Sequence, residues 1–467
     1  MFPLPDDDMR QNVKCRTHQV MDKLGCDRLQ SRIENIGFVG QLYEKTCGRE
    51  SIVCSAVLHK LQVWRESYAY AGTWELGVYM SEEVQRKYKA ALAGLAANCK
   101  LVKGYDRPIL FEGGCYQGIW LECAPLESLV YGKYAPEVAL ATHDAFFHHQ
   151  REDGYLPFNI SAQGPGSITI QMVVPIAATA LETADLIGDE AFLAKAYDAC
   201  SRWDGWLSRN RDTRGTGLCE LFCQFDSGHD GSPRLEGLPW ECPDGAGVCP
   251  QEGKLPYLAP DLSASVYGGR VALAAMALRL GKDAEAAQWQ DRAEHIRQRI
   301  IQYCYDPEDE CFYDVDCEGN FVRVRGDVLT RVFSEHVVDQ AMFDQIYYRH
   351  IKDPDAFWTP YPLPSIAAND PLFVKRLPRN SWGGASQALT ALRAPRWFEH
   401  YGKADDLRYL MTQWVEALTR CEHFMQQMNP WTGEFTESNT KDYSPAMCVM
   451  IDFVDRLAID TAGIQIV

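Results

Sequence analysis

Apolar side chains at Leu407, Leu410, Met411, Trp414, Val415 and Leu418 fall at i, i+3, i+4, i+7, i+8 and i+11, one stripe down the face of a helix. Helices are also predicted over residues 82–99, opened by Ser81 with Glu82 and Glu83 in the first turn, and over 136–148, where Pro136 suits a first helical position. Further helical stretches cover 171–187, 191–208, 267–280, 284–303, 385–401 and 444–457. A punctuation recurs between them. Gly188 is followed by Asp189, Gly281 by Asp283, and Gly402 by Asp405 and Asp406, as where one helix stops on a glycine and the next is capped by an aspartate. The chain reads as a series of antiparallel helical hairpins.

Five long segments break the helical pattern: 151–168, 210–260, 304–328, 350–383 and 428–443. They are rich in Trp, Tyr, Pro, Gly and carboxylates, unlike disordered tails, and loops of this length in a compact domain are usually functional. Within them residues 311–324 alternate like a β-hairpin turning at Glu318-Gly319. The Asp314-Val315-Asp316 triplet there lacks the distal glutamate and flanking helices of a calcium loop, so turn chemistry explains it better. In the first 80 residues, 57–64 reads as helix and 70–80 as turn and extended chain.

Composition narrows the function. The 467 residues carry 46 Lys+Arg against 64 Asp+Glu, a net charge of −18, which argues against nucleic acid as a partner because phosphate binding needs surplus positive charge. No apolar run approaches the roughly 18 residues of a membrane span, and residues 1–30 lack the order of a signal peptide. The expected location is cytoplasmic. Seventeen cysteines, odd in number and without a CxxC pair, read as reduced thiols, with neither a metal site nor a cofactor. A small, neutral or polar partner fits best.

The densest chemistry lies in Phe225-Asp226-Ser227-Gly228-His229-Asp230-Gly231-Ser232-Pro233-Arg234, where two carboxylates, a histidine and an arginine stand among glycines and a proline. From Ser227 onward this stretch resembles the acid-bearing loop of the trehalase-like and family 63-like glycoside hydrolases. Other segments match in the same order. Gln150-Arg151-Glu152-Asp153-Gly154-Tyr155-Leu156-Pro157 resembles that family's turn after an early helix. Gln171 with Pro175 resembles the opening of the next inner helix, and 357–365 with Asp370-Pro371 is similar to its loop of aromatics and prolines. Asn429-Pro430-Trp431-Thr432-Gly433-Glu434 looks like the base-bearing Asn-Pro-x-Thr-Gly-Glu of the mannosylglycerate and glucosylglycerate hydrolase branch.

The resemblance covers about residues 110–458. It implies an all-α fold, an (α/α)6 barrel over 81–467 with long loops and a small β-hairpin on one face, and an extension over 1–80 packing on it. It implies an inverting, exo-acting hydrolase of a small α-linked glucoside or mannoside, with Asp230 as general acid and Glu434 as general base. An inverting pair stands about 6.5–9.5 Å apart so that a water fits between base and sugar, and an acid protonated near neutral pH needs a raised pKa, which burial, Asp226 or tryptophan walls could supply. Lyases, epimerases, phosphorylases and non-catalytic binders on the same barrel stand as the alternative, since fold does not fix reaction.

Several roles stay open on the residues alone. Glu437 rivals Glu434 as base. Asp226 is either a sugar-hydroxyl acceptor or a loop-fixing residue, and Arg234 either pairs with a loop carboxylate or binds substrate. His229 reads as a loop hydrogen-bonding residue. Trp120, Trp358 and Trp382 are candidate stacking faces, with Glu122 and Gln171 as hydroxyl acceptors; Asp261 is a further acceptor candidate. Three departures mark the pocket: Glu122 stands where relatives carry Trp-x-Trp-Asp, Gly383 where they carry Arg, and Pro445 where they carry Trp.

Overall fold

The computed structural model describes residues 82–457 except 168, 243–247, 251–252, 376–380 and 437–440. The expected extension over 1–80 and the candidate Glu437 lie outside the described residues. Twelve α-helices are present among them: α1 Glu82–Asn98, α2 Ala124–Tyr131, α3 Pro136–His148, α4 Ile176–Ile187, α5 Glu190–Asn210, α6 Pro260–Arg279, α7 Asp283–Cys304, α8 Val328–Ser334, α9 Gln340–Ile346, α10 Ala388–His400, α11 Ala404–Arg420 and α12 Ser444–Arg456.

The even-numbered helices close a ring: α2 packs on α4, α4 on α6, α6 on α8, α8 on α10, α10 on α12, and α12 back on α2. The odd-numbered helices form the outer layer, α1 packing against α12. This is the (α/α)6 barrel. Burial separates the layers. Every residue of α12 from Ser444 to Val454 is buried, whereas outer α11 buries Leu407, Leu410, Met411, Trp414, Val415, Ala417 and Leu418 and exposes its other face, the stripe its sequence predicts.

Helix ends bear out part of the predicted punctuation. Gly188, Gly281 and Gly402 have φ of 74°, 71° and 68°. Asp189 caps α5 by accepting the Phe192 N–H at 2.9 Å, but Asp283 and Asp405 lie inside their first turns, where the N-caps are Lys282 and Lys403. Helix α4 starts at Ile176 and not at 171, because Pro175 blocks helical geometry before it. Helix α6 starts at Pro260, seven residues earlier than predicted from its apolar run.

Inner helices α2 to α10 are each followed by an outer one that returns, and α12 follows outer α11, so all six inner helices start at one end. The long loops enter there. The predicted hairpin is present as Asp314–Val315 paired with Phe321–Val322. It joins Tyr257–Leu258 and Glu220–Leu221 in a four-stranded antiparallel sheet. Asp316 Oδ1 accepts the N–H groups of Glu318 and Asn320 at 3.0 and 2.8 Å, the turn role expected of it. No described helix is long and apolar enough to cross a membrane.

Candidate active site

Residues 224–235 precede α6 and consist of two short 3-10 turns, Gln224–Asp226 and Pro233–Leu235, around a glycine-rich bend. Three buried arginines hold this loop. Arg211, just after α5, binds Asp226, whose oxygens also accept the N–H groups of Phe222 at 2.8 Å and Ile170 at 3.0 Å. Arg331 of α8 donates to the Ser227 carbonyl at 2.6 Å and to Asp261 at 3.2 Å. Arg234 reaches both oxygens of Asp314 at 2.8 and 2.7 Å and one of Asp261 at 2.7 Å. Asp226 and Arg234, each open from sequence between a substrate contact and a structural role, act as loop anchors here: both are buried, Asp226 against Arg211 and Arg234 against Asp261 and Asp314. Asp261, likewise, is engaged by two arginines.

The loop in turn shapes what faces the barrel mouth. Gly228 has φ +68°, and a β-carbon there would lie 1.4 Å from Glu122 Oε2; only glycine fits both the backbone and that carboxylate. Buried His229 lies against Trp382, ring centres 4.4 Å apart, with its Nε2 3.2 Å from Asp327 Oδ1. The Trp382 N–H donates to the Asp230 carbonyl at 3.0 Å. Trp382 is 2% exposed, so it is a wall of the acid loop and is corrected from an open stacking face. Trp120 is partly exposed, packs with Cys123, Trp382 and Leu389, and meets Tyr116 edge-on at 5.6 Å.

Asp230 stays partly accessible, while burial pushes its carboxyl up to about 7. Asp226, a source of that rise expected from sequence, is instead neutralised by Arg211. Around Asp230 stand more carboxyls held toward the protonated form. Burial raises Glu122, and Glu112 and Asp230 raise it further, against the opposing pull of Arg331 and Arg393. Burial and then Glu127 raise Glu112, and burial takes Glu127 to about 8. Like charges in a dry site cannot all ionise.

Gln171 is buried beside the acid loop with φ +37°, and the amides on either side of it, Ile170 and Met172, donate to Asp226. Trp358 lies elsewhere: it packs on Phe398 and Tyr409 with Lys352 Nζ 3.8 Å over its ring, a packing role that replaces the expected sugar face. Glu434 occupies an exposed turn. Asn429 Oδ1 accepts the N–H groups of Trp431 and Thr432, the Asn429 N–H donates to the Glu434 carbonyl at 2.8 Å, and Thr432 Oγ1 donates to Glu434 Oε2 at 3.3 Å.

Residues 127–444 match the family described as the mannosylglycerate hydrolase MGH1-like glycoside hydrolase domain. The chain belongs to this family. It is a glycoside hydrolase, and its fold is shared more widely. It is similar to the GH63 mannosylglycerate hydrolase from Thermus thermophilus in complex with Tris, at 17% identity and TM-score 0.64 over 78% of this chain and 99% of that one. It is similar also to the neutral trehalase from Saccharomyces cerevisiae, at 12% identity and TM-score 0.57 over 74% and 73%. A rhamnosidase from Klebsiella oxytoca with rhamnose bound gives 12% and 0.56 over 82% and 65%. At these identities the likeness is one of fold. Among curated proteins no sequence matches.

In this MGH1-like glycoside hydrolase the residues that sequence reasoning missed are Glu112, Tyr116, Glu127 and Tyr443. Glu112 and Tyr443 come from opposite ends of the ring: the Ser444 N–H donates to the Glu112 carbonyl at 2.7 Å. No motif marks Glu112, Tyr443 figures in the sequence only beside the departure at Pro445, and ring closure makes the two neighbours. Glu112, Glu122 and Cys123 bring potential ligand atoms within 4.8 Å of one another. Burial favours the protonated form of all three.

Two outcomes are expected. Asp226→Asn removes the charge facing Arg211 and should cost about 3–5 kcal/mol of stability, the range for breaking a buried ion pair; urea denaturation at pH 7 measures it, and a loss under about 1 kcal/mol would contradict the anchoring role. The second outcome concerns pH. Glu127, Asp230 and Glu335 have folded values of about 8, 7 and 7, above the roughly 4 of unfolded carboxyls. Between those values the folded state holds protons the unfolded state has released, so their contribution to stability falls as pH rises. Above the range near 6.5 where the buried histidines, lowered by burial, act in the opposite sense, the melting temperature should drop from pH 7 to 8.5, and less steeply in Glu127→Gln. A wild-type melting temperature that rises across this window would contradict the assignment.

Proposed function

We propose that this chain is an inverting, exo-acting hydrolase of a small α-linked glycoside, α-glucoside or α-mannoside in type, with Asp230 as general acid and Glu434 as general base. The observation that carries this reading is Asp230 itself: a partly accessible carboxyl, held near pH 7 by burial, on a loop that three arginines keep from relaxing. Asp230 donates its proton to the departing glycosidic oxygen as the bond to the anomeric carbon breaks. Glu434 takes a proton from a water, whose oxygen bonds to that carbon from the opposite face. The product sugar has inverted configuration, and the two carboxyls exchange protons with solvent to reset.

Trp120 supplies a flat face for the sugar ring, and Glu122 and Gln171 offer polar atoms for its hydroxyls. The Glu122 carboxyl, held protonated, can donate as well as accept. Glu437 stays the alternative base. We also place the enzyme in the cytoplasm: the described cysteines are free thiols, most of them buried, which suits a reducing compartment.

Asp230→Asn and Glu434→Gln should each lower kcat by about 10²–10⁴-fold with the fold retained. Assay on α- and β-linked disaccharides and glycosylglycerates by proton NMR reads substrate and anomer together. Retention of configuration would overturn the inverting mechanism, and a fully active Glu434→Gln would move the base to Glu437. Because the acid must be protonated, activity should fall as pH rises through about 7. A rate still climbing at pH 9 would remove Asp230 from that role.

A further inference from the structure

The acid loop and the turn bearing Glu434 lie far apart in sequence, and a short antiparallel pair joins them: Ser386–Gln387 against Gln427–Met428, with Gln387 opposite Gln427. Both glutamines are buried. Gln427 Oε1 accepts the Ser381 N–H at 3.3 Å and Gln387 Nε2–H at 3.0 Å. Gln387 Nε2 also donates to the Ser381 carbonyl at 3.2 Å. At its other end Gln427 Nε2 donates to Thr436 Oγ1 at 3.0 Å, and the Gln427 carbonyl accepts the Thr436 N–H at 3.1 Å.

Ser381 and Trp382 carry the connection on to the acid. Ser381 Oγ donates to the Gly231 carbonyl at 3.4 Å and the Trp382 N–H to the Asp230 carbonyl at 3.0 Å. On the other side Thr436 stands two residues after Glu434, and the neighbouring Phe435 bridges Met428. A continuous set of hydrogen bonds thus runs from the backbone of the acid to the segment of the base, with the Gln427 amide at its centre. The amide has one workable orientation. Ser381 and Gln387 present N–H donors, so Oε1 must face them and Nε2 must face Thr436.

We infer that Gln427 is a positioning residue that sets the separation of Asp230 and Glu434, an inference that rests on reading those two as acid and base. Glu434 is exposed and its carboxylate accepts from Thr432 of its own turn, so its place is set through the backbone of that turn. Inversion needs a water held between base and sugar, and displacing a reacting group by about 1 Å can cost about 10²-fold in rate. Sugar binding, by contrast, would use Trp120, Glu122 and Gln171, which come from the segments ahead of α2 and α4.

The test uses Gln427→Leu, which removes the amide, and Thr436→Val, which removes only the hydroxyl on a partly exposed residue and keeps the test alive if the first variant fails to fold. Each should lower kcat about 10–100-fold with KM changed less than about twofold and the alkaline limb of the pH profile unmoved. Thr436→Ser should restore the rate. Hydrogen exchange of the amides in 429–436 should quicken about tenfold in both damaged variants, with no substrate present. Unchanged exchange overturns the tie whatever the substrate, and quickened exchange with unchanged kcat overturns the positioning role. Wild-type protein that hydrolyses no glycoside of the panel would instead sink the proposed function, while exchange still reports whether the tie exists.

Discussion

The site depends on charge buried where it would not stand alone. Arg211, Arg234 and Arg331 are out of water, and each survives there because a carboxylate or carbonyl of the acid loop, or the paired Asp261 and Asp314, meets it. Taking ions out of water costs several kcal/mol apiece, and the cost is recovered only with close geometry and further hydrogen bonds. The loop therefore has little freedom to relax. That rigidity lets Asp230 remain in a dry environment without turning outward to solvent, and the dryness raises its proton affinity.

The barrel supplies the second constraint. Glu122 immediately precedes α2, Gln171 lies just ahead of α4, the acid loop leads to α6, Asp327 precedes α8, Gln387 precedes α10 and Tyr443 precedes α12. Because inner helices all start at one end, six stretches far apart in the chain deliver their side chains to one mouth. The carboxyls of Glu112, Glu122, Glu127 and Asp230 crowd there with burial as the main influence on each. Most remain protonated, and an acidic protein thereby keeps a site whose local charge is far smaller than its residue count implies.

This division also explains how relatives at 12–17% identity keep the architecture. The ring of helices needs only apolar faces and room, which many sequences satisfy. Loops at the mouth answer to the substrate. The departures at Glu122 and Gly383 fall there and Pro445 opens α12, and two of them show a local fit: Glu122 fills the space left by Gly228, and Gly383 closes on Val374 through its carbonyl.

Much of the barrel was legible in the chain. The α11 stripe, the glycines ending α4, α6 and α10, and the turn at Glu318-Gly319 follow from local rules of periodicity and backbone conformation, which neighbours in sequence suffice to express. The likeness of residues 227–234 to a glycosidase loop pointed to Asp230, while the rigidity of that loop comes from the arginine pairs that the fold brings to it. Helices α2, α8 and α9 were missed for a physical reason: they are seven or eight residues long, and α2 and α8 are buried almost all round, which leaves no amphipathic period to read. Tertiary structure alone decided that Asp226 and Arg234 anchor the loop, that Trp358 packs on Phe398 of α10 and Tyr409 of α11, and that Glu112 and Tyr443 meet. Those outcomes depend on which charge or ring arrives from a distant segment, and a sequence records the residues but not their meeting.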